Sequence, residues 1–254
     1  MERSTYAVES EVERTHWWFD GRRRLFSGLI DKLALPQDAR ILDIGSSTGT
    51  NLRMLGEMGF TQFEGMDMSD EAIRWCAHKG LGKVTKGDVC AIPFPDGSFD
   101  LVLATDIIEH VDDDAGALRE ITRITKPGGK VLITVPAFQS LWGLQDDVSH
   151  HKRRYRARQV MNLVDAANLH PRRAFHFNYI LFLPIFIARL IIRRTVVKLR
   201  SENEINSPLV NRILGWIFRF DVATAPRIRP PFGVSFLVLA DVDGPCTRGE
   251  RPSA

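Results

Sequence analysis

Two histidine clusters carry the residue types that proton-transfer chemistry requires. One is His110, which follows Glu109; the other is His151, which follows Asp146-Asp147 and precedes a run of one lysine and two arginines at 152–154. An imidazole with an ordinary pKa near ~6.5 can accept a proton at neutral pH, and a carboxylate can orient it. We favour His151 over His110 as the base, because a nearby aspartate could orient the ring. The cations that follow would keep it neutral and hold an anionic substrate beside it.

A glycine loop follows the first apolar run. Residues 41–51 predict a strand, a tight loop containing Gly45 and Gly49, and the start of a helix. Because glycine has no Cβ, the backbone of such a loop can approach a ligand closely at the carboxyl edge of a sheet. The G-x-x-x-G spacing differs from the G-x-G-x-x-G of a pyrophosphate-binding loop. The loop taken alone fits any strand–turn–helix unit.

Polar side chains stand at the ends of three later strands. Asp67 ends the second strand, Asp88 follows the third in Gly87-Asp88-Val89, and Thr105-Asp106 ends the fourth. Carboxylates at such positions could accept hydrogen bonds from ribose hydroxyls and from an adenine amino group. A single surface aspartate is usually a solvated cap, but this alignment predicts a nucleoside-binding edge.

The elements that must position these residues alternate between short apolar runs and helix-like segments, which predicts an α/β fold with a doubly wound, mostly parallel sheet. We expect one domain, with an N-terminal helical cap (1–38), a cofactor-binding core (39–136) and a substrate-side half (137–254) that holds a helical insert (179–220) before the last, antiparallel strand. The predicted strands are Arg40–Ile44, Gln62–Met66, Lys83–Lys86, Phe99–Ala104, Lys130–Val135 and Val234–Ala240, and the predicted helices are Asn51–Met58, Asp70–His78, Asp114–Ile124 and Gln159–Ala167.

These motifs occur together in one known family. The stretch from Arg40 to Pro136 contains, in order, D-x-G-x-x-x-G, the acidic Asp67, GDV at 87–89, FPDGSFDLV at 94–102, EHV at 109–111 and KPGG at 126–129. In this combination the sequence resembles the class I S-adenosylmethionine-dependent methyltransferases, and most of all the branch that includes the ubiquinone and menaquinone methyltransferases. The resemblance implies a seven-stranded, Rossmann-like sheet.

The same resemblance implies S-adenosyl-L-methionine as the cofactor and assigns its contacts. Asp43 and Gly45 would approach the methionine end, Asp67 the ribose, and Asp88 with Val89 the adenine. The family often has Cys-Gly where this chain has Ser46-Ser47, and serine is small enough to preserve binding. The cofactor contacts implied are Asp43, Gly45, Ser46, Gly49, Asp67, Met68, Asp88, Val89 and Thr105.

Three further segments are similar to bacterial methyltransferases associated with the assembly of glycans and polyprenyl-linked sugars. They are HWWFxxRR at 16–23, the segment 141–155 and PFGVSF at 231–236. Besides the base candidates His151 and His110, this similarity implies substrate contacts from Trp18, Arg22, Trp142, Asp146, Arg154 and Tyr155.

A metal site is the alternative role for the first histidine cluster. Asp106, Glu109 and His110 resemble the E-x-x-E-H metal motif of some ubiquinone-pathway and small-RNA methyltransferases, with aspartate in place of the first glutamate. Carboxylates and imidazole would suit Mg²⁺ or a transition metal. The simpler interpretation is a helix start after the fourth strand, as in metal-free relatives, so we expect no metal.

Charge is distributed unevenly along the chain. Residues 1–147 sum to −8 and residues 148–254 to +11, so the second half favours anionic partners. We expect no nucleic-acid partner, because the basic half has no recognisable binding motif. The apolar run 180–192, followed by Arg193 and Arg194, could lie in a membrane interface, which makes 179–220 a candidate peripheral membrane contact. An ordinary core or lid helix is the alternative.

The cysteines and the N-terminal residues indicate the compartment. Cys76, Cys90 and Cys246 are widely spaced, which indicates neither a disulfide framework nor a zinc site. Residues 1–13 are charged and lack the apolar core of a secretory signal. We therefore expect a cytoplasmic protein, which would lie at the inner membrane face wherever the insert contacts lipid.

The sequence as a whole predicts a methyltransferase that acts on an acceptor oxygen. Methyl transfer from a sulfonium chiefly requires alignment and exclusion of water, and an oxygen acceptor usually also requires a base. The acceptor would be an anionic or amphipathic small molecule, such as a lipid-linked sugar, a glycan or a quinone precursor; carbon and nitrogen acceptors stay open. The second hypothesis is a non-catalytic binding module in a glycan-assembly complex. The intact glycine loop and the strand-end acids argue against it.

Overall fold

A seven-stranded sheet organises the fold of the computed structural model, which describes residues 3–192 and 207–243. The strands are β1 (Arg40–Ile44), β2 (Gln62–Asp67), β3 (Val84–Lys86), β4 (Phe99–Thr105), β5 (Thr125–Pro136), β6 (Leu169–Phe177) and β7 (Ser235–Val242). Their order is β3-β2-β1-β4-β5-β7-β6; β1 to β5 are parallel, and β7 is antiparallel to both β5 and β6. This confirms the predicted Rossmann-like, mostly parallel sheet.

Helices surround the sheet, and two of them form the predicted insert between β6 and β7. Residues 193–206 of the predicted insert lie outside the described residues, and its second helix continues past residue 220 to Ile228. No helix in the two described ranges combines the length and the hydropathy that crossing a bilayer requires. The helices are α1 (Arg3–Val12), α2 (Trp17–Ile30), α3 (Thr50–Glu57), α4 (Asp70–His78), α5 (Asp114–Ile124), α6 (Leu144–Val148), α7 (Ala157–Ala166), α8 (Phe182–Ile192) and α9 (Pro208–Ile228).

The core has two layers, one on each face of the sheet. Side chains alternate between faces along a strand, so Leu101 and Leu103 of β4 pack with α2, α3 and α9, whereas Val102 and Ala104 pack with α5 and α7. All four side chains are fully buried. Burial on both faces explains why the central strands are continuous apolar runs, as is typical of parallel sheets.

Strand β6 completes the predicted seven-stranded sheet, but the sequence predicted no bounds for it. It contains Pro171 and two arginines, and proline normally argues against a strand because it cannot donate a ladder hydrogen bond. β6 lies at the edge of the sheet, and its register with β7 shifts between Pro171 and Arg173. An edge strand with an irregularity tolerates both proline and charge.

The strand order determines where a ligand can bind. The chain passes from β1 to β2 on one side and later returns to β4 on the other, so the order reverses at β1. The crevice beyond the carboxyl ends at such a switch point is the usual ligand site of open α/β sheets. The ends of β1, β2 and β4 carry Asp43, Asp67 and Thr105, three of the predicted cofactor contacts.

Candidate active site

A cavity of about 920 Å³ lies over the carboxyl edge of the sheet. Its wall is formed by the N-terminal helices α1 and α2, the loop after β1, the ends of β2 and β4, the segment 145–154, and the insert helices α8 and α9. The volume falls within the range of small-ligand and cofactor sites. We call it the central cavity.

Most of the residues predicted from sequence meet at this cavity. Of the predicted cofactor contacts, Gly45, Ser46, Asp67, Met68, Val89 and Thr105 line it, and Asp43, Gly49 and Asp88 do not. Of the predicted substrate and base residues, Trp18, Arg22, His110, His151 and Arg154 line it, whereas Trp142, Asp146 and Tyr155 lie outside its wall.

The loop after β1 brings backbone to the cavity. Gly45 has a φ of +73°, and a Cβ at this position would collide with the side chain of Ile107. Ser47 has a φ of +47°, a left-handed conformation that is uncommon for a residue with a Cβ. Gly49, with a φ of +88°, precedes the first turn of α3. The first glycine therefore shapes the cradle, and the second lets the chain enter the helix.

Asp43 lies beneath this loop and is fully buried. Its Oδ1 accepts a 2.8 Å hydrogen bond from Asn51, which also donates to Thr105 at 3.0 Å. Its Oδ2 is buried without a hydrogen-bond partner among the described residues. Burial raises the pKa of Asp43 to about 7, although the hydrogen bond from Asn51 opposes this. An orphaned buried oxygen beside the cradle fits a site that expects a polar ligand group.

Asp67 lies at the end of β2 with both oxygens held by backbone N–H groups. Ser47 donates to Oδ2 at 3.0 Å, and Ser69 donates to Oδ1 at 2.9 Å. Burial nevertheless raises the pKa of Asp67. Each carboxylate oxygen keeps a second acceptor position, so the side chain can still receive two ligand hydroxyls. Met68 follows it on the cavity wall and is largely exposed.

Asp88 differs from its predicted position at the cavity. It is exposed, and its Oδ1 accepts a 2.9 Å hydrogen bond from the backbone N–H of Cys90. This is the local turn contact that aspartate commonly makes. The neighbouring Gly87 and Val89 line the cavity instead, so this loop presents backbone and an apolar side chain to a ligand.

Arg22 of α2 connects the N-terminal helices to the end of β4. Its Nη1 lies 2.6 Å from Oδ2 of Asp106, and its guanidinium lies over the rings of Trp18 and Phe26 at 5.5 and 5.2 Å. Asp106 also accepts a hydrogen bond from Thr134 and has a φ of +57°. This ion pair engages Asp106, the first residue of the metal-like motif.

His151 is oriented by a buried carboxylate. Its Nδ1 lies 2.8 Å from Oδ1 of Asp146, and Arg154 binds both oxygens of the same carboxylate at 2.8 and 2.9 Å. Burial by itself would raise the pKa of Asp146, but the hydrogen bond from His151 and the charge of Arg154 outweigh it and lower the pKa to about 2. Asp146 is therefore ionised at neutral pH, and it holds the proton of His151 on Nδ1.

The two rival histidines lie side by side. The rings of His110 and His151 are 4.7 Å apart in an edge-to-face arrangement. Burial lowers the pKa of His110 to about 4, and the nearby His151 makes a smaller contribution in the same direction. This ring therefore stays neutral at physiological pH. A ring with so low a pKa is a weak proton acceptor, which favours His151 as the base.

Glu109 is fully buried beneath these rings. Neither of its oxygens has a hydrogen-bond partner among the described residues, and Oε1 lies 4.0 Å from Nε2 of His151. Burial raises the pKa of Glu109 well above its ordinary value, and the charge of Asp106 makes a smaller contribution in the same direction. Ligand atoms of Glu109, His110 and His151 lie within 4.8 Å of one another, so a cation could be held here. His151 takes the place that the sequence motif gave to Asp106.

The basic run after His151 is neutralised by acids on the chain. Lys152 pairs with Asp112, and Arg153 lies 3.0 Å from Asp114. With Arg154 bound to Asp146, each of the three cations has a carboxylate partner. The expectation that they hold an anionic acceptor is therefore not supported by the geometry.

Two predicted substrate contacts serve the loops instead. The indole N–H of Trp142 donates to Asp147 at 2.8 Å, so this aspartate does not orient His151. Tyr155 is buried, and its hydroxyl lies 2.9 Å from Asp114 and 3.2 Å from the carbonyl of Ile108. Trp142 therefore stabilises the segment after β5 internally, and Tyr155 connects that segment to α5 and to the turn after β4.

The insert closes the side of the cavity away from the glycine loop. Its contributions to the wall are Ile185, Ala188 and Arg189 of α8 and Val210 and Leu214 of α9. The same helices also expose large apolar side chains that do not line the cavity: Leu183, Ile187, Leu190, Ile191, Leu209, Ile213, Trp216 and Phe220. The insert is therefore apolar toward the cavity, Arg189 excepted, and also toward the outside.

Sequence reasoning missed the wall residues that come from non-local packing. Tyr6 and Glu9 of α1 line the cavity, as does Ile107. For the residues of α1, the sequence contains one signal. Tyr6, Glu9 and Glu13 are spaced so that they lie on one helix face. Asn51, which joins Asp43 to Thr105, was part of the glycine motif and had no assigned role.

The central part of the chain is similar to known methyltransferases. Residues 42–133 match a family described as a methyltransferase domain, of type 11. The chain is 34% identical over 109 residues to the norajmaline N-methyltransferase of Rauvolfia serpentina, a match that covers 40% of this chain and 37% of that protein. It is 31% identical over 108 residues to a sterol 24-C-methyltransferase of Aspergillus fumigatus, covering 40% and 29%. The chain thus spans between 29% and 37% of these relatives' length.

A solved structure resembles the fold over most of the chain. Phosphoethanolamine N-methyltransferase 2 of Haemonchus contortus, in complex with phosphomonomethylethanolamine and S-adenosylhomocysteine, superposes with a TM-score of 0.63 at 19% identity. The superposition covers 96% of this chain and 58% of that chain. At this level of identity the likeness establishes the fold alone.

Proposed function

We propose that this chain, whose residues 42–133 match a methyltransferase domain of type 11, is an S-adenosylmethionine-dependent methyltransferase that methylates an acceptor oxygen. S-adenosylmethionine is the cofactor of this family. The acceptor is an anionic or amphipathic small molecule, such as a lipid-linked sugar, a glycan or a quinone precursor. The observation that carries the proposal is the oriented pair His151–Asp146 beside the cavity that also contains the glycine cradle.

The residues of the chain divide the chemistry between them. The cofactor supplies an electrophilic methyl group on a sulfonium. Gly45 and Ser47 line one end of the site, and Asp67 offers acceptor positions to ribose hydroxyls. His151 takes the hydroxyl proton of the acceptor on Nε2, because Nδ1 is engaged by Asp146. The helices over the cavity exclude water from the transfer.

The wall chemistry supports an amphipathic acceptor. Ile185, Val210 and Leu214 offer an apolar surface on the insert side of the cavity, and the guanidinium of Arg189 there already donates to the carbonyl of Leu141. The side chains near His151 are polar. An acceptor with a hydroxyl-bearing head and an apolar chain would place the head at His151 and the chain along the insert.

The outer face of the insert supports a membrane-bound source for this acceptor. Leu209 and Trp216 on α9 are 65% and 71% exposed, an unusual state for large apolar residues on a free surface. Arg212 and Arg227 lie on the same helix, and Arg219 there is paired with Asp20 at 2.9 Å. An apolar face flanked by arginines is suited to the interface of an anionic bilayer. The protein would then take its acceptor directly from the lipid phase.

The test is a screen for methylated products. Purified protein is incubated with methyl-deuterated S-adenosylmethionine and with separate lipid-phase and water-soluble extracts, and labelled products are identified by mass spectrometry. We expect an O-methylated product in the lipid-phase extract that His151→Ala fails to form. His78→Ala, which alters an exposed histidine of α4, is the matched control.

Two other results of this screen would indicate a different function. A product labelled on nitrogen or carbon would retain the methyltransferase and discard the oxygen acceptor. S-adenosylmethionine binding without a labelled product in either extract would favour the non-catalytic module.

A further inference from the structure

Helix α1 lies over the glycine loop and presents one face to it. Tyr6, Glu9 and Glu13 are spaced three and four residues apart, so they follow one another along the same side. The backbone N–H of Glu13 donates to the carbonyl of Glu9 at 2.8 Å, which continues the helical pattern past the last residue of α1. Tyr6 and Glu9 line the central cavity, and Glu13 is buried.

Glu13 anchors this end of α1. Its Oε1 lies 2.8 Å from Nζ of Lys79 and 3.1 Å from Nη1 of Arg53, and its Oε2 accepts a hydrogen bond from the hydroxyl of Thr48. Lys79 also donates to the carbonyl of Thr48 at 2.9 Å. Two cations and a hydroxyl hold this buried carboxylate, so α1 has a defined position on the glycine loop.

Glu9 contacts the same loop, and its negative charge is less well neutralised than that of Glu13. Its Oε2 accepts a 2.9 Å hydrogen bond from the hydroxyl of Ser47, the residue with left-handed backbone in the cradle. The cations that act on it, Arg22 and Lys79, are already paired with Asp106 and Glu13. Burial raises the pKa of Glu9 to about 7. A carboxylate in this setting is best stabilised by a cation that arrives with a ligand.

We propose that Glu9 is a cofactor-binding residue that accepts a hydrogen bond from the α-ammonium group at the methionine end of S-adenosylmethionine. The inference rests on the proposed function, since its ligand is the cofactor. The glycine loop, where Ser47 holds Glu9, is the part of the cradle that the family resemblance assigns to the methionine end. Glu9 thereby distinguishes the full amino-acid cofactor from nucleosides that lack the ammonium.

Two probes separate this role from simple packing. S-adenosylhomocysteine carries the ammonium, whereas 5′-methylthioadenosine keeps the adenosine and thioether but has no amino-acid group. Both are titrated by calorimetry into the wild type and into Glu9→Gln. We expect the substitution to weaken S-adenosylhomocysteine by about tenfold or more, as for the loss of a charged hydrogen bond, and methylthioadenosine by less than about twofold. Retained methylthioadenosine binding also shows that the variant is folded.

The control variant is Glu11→Gln, which changes an exposed glutamate on the same helix and should alter neither affinity. Equal weakening of both probes by Glu9→Gln would mean that α1 only packs over the site, and unchanged S-adenosylhomocysteine affinity would remove Glu9 from it; either result overturns the inference. Because the readout is binding, failure to find a methylated acceptor would count against the proposed function and leave this result standing.

Discussion

The imidazole of His151 and the carboxylate of Asp146 are joined by a 2.8 Å hydrogen bond through Nδ1. Arg154 binds both oxygens of the same carboxylate, which leaves the acid no freedom to turn away. With the proton held on Nδ1, the nitrogen of His151 that can accept another proton is Nε2. A histidine oriented by a buried acid is the arrangement that several hydrolase families use for a general base.

The first prediction is that His151, and not His110, supports turnover on a hydroxyl acceptor. We expect His151→Ala to lower turnover by roughly 10²- to 10⁴-fold at saturating cofactor, the usual contribution of a general base, with unchanged S-adenosylmethionine affinity. His110→Ala should keep most of its activity, because burial has already lowered the pKa of that ring to about 4. Turnover and binding are measured separately. Loss of turnover in His110→Ala alone would reverse the assignment.

The second prediction concerns Asp146→Asn. Removing this charge leaves Arg154 buried without its anion, and breaking a buried pair typically costs about 3–5 kcal/mol of unfolding free energy. The low pKa of Asp146 means that its contribution is present above its unfolded value of 3.8 and is lost as pH falls through about 2. The variant should therefore be destabilised most at neutral pH, as followed by urea unfolding. Asp147→Asn is the control, and an equal effect there would contradict the assignment.

The third prediction is that Asp67→Ala loses cofactor affinity and keeps its fold. Removing hydrogen bonds to a charged acceptor should cost about 1–3 kcal/mol of binding free energy. Calorimetry with S-adenosylmethionine measures the loss. Asp70→Ala, three residues later and largely exposed beside Lys86, should bind normally. An unchanged affinity in Asp67→Ala would remove this residue from the site.

The fourth prediction is that Glu109 in the folded protein keeps its proton to a higher pH than an ordinary glutamate does. Its raised pKa means that it contributes stability below its ordinary value of 4.5, and that this contribution is lost as pH rises toward the folded-state value. The melting temperature of wild type minus that of Glu109→Gln should therefore fall between pH 5 and pH 8. The alternative is a bound cation. It would be revealed if Mg²⁺ or Mn²⁺ raised the melting temperature of the wild type and left that of Glu109→Gln unchanged.

The fifth prediction is that the insert binds anionic membranes. We expect the protein to sediment with anionic vesicles at low salt and to be released as salt screens the arginines. Replacing Leu209 and Trp216 by serine removes exposed apolar surface and should reduce sedimentation while leaving S-adenosylmethionine binding intact. Vesicles of zwitterionic lipid are the control. A wild-type protein that stays in the supernatant with anionic vesicles at low salt would make the insert a lid only.

Elements whose signals are local could be predicted from the sequence. The strand–loop–helix unit around Gly45, the helix Asp70–His78 and the helix Asp114–Ile124 occur where the pattern predicted them. Each depends on periodicity, on a cap or on a turn residue within a few positions, and such information survives in a single sequence. The polar strand ends could be aligned in the same way, because parallel strands present their carboxyl ends at one edge.

Tertiary structure alone decided which side chains meet. The sequence offers His110 and His151 as alternative bases. The return of the chain after β5 places the centroids of their rings 4.7 Å apart. Asp106 was grouped with Glu109 by spacing, yet Arg22 of α2 engages it. The sequence predicted no bounds for β6 because its proline and arginines are tolerated only at a sheet edge, and edge position is a property of strand order. These contacts depend on how separate layers pack, and the periodicity of one segment holds no information about the segment that will face it.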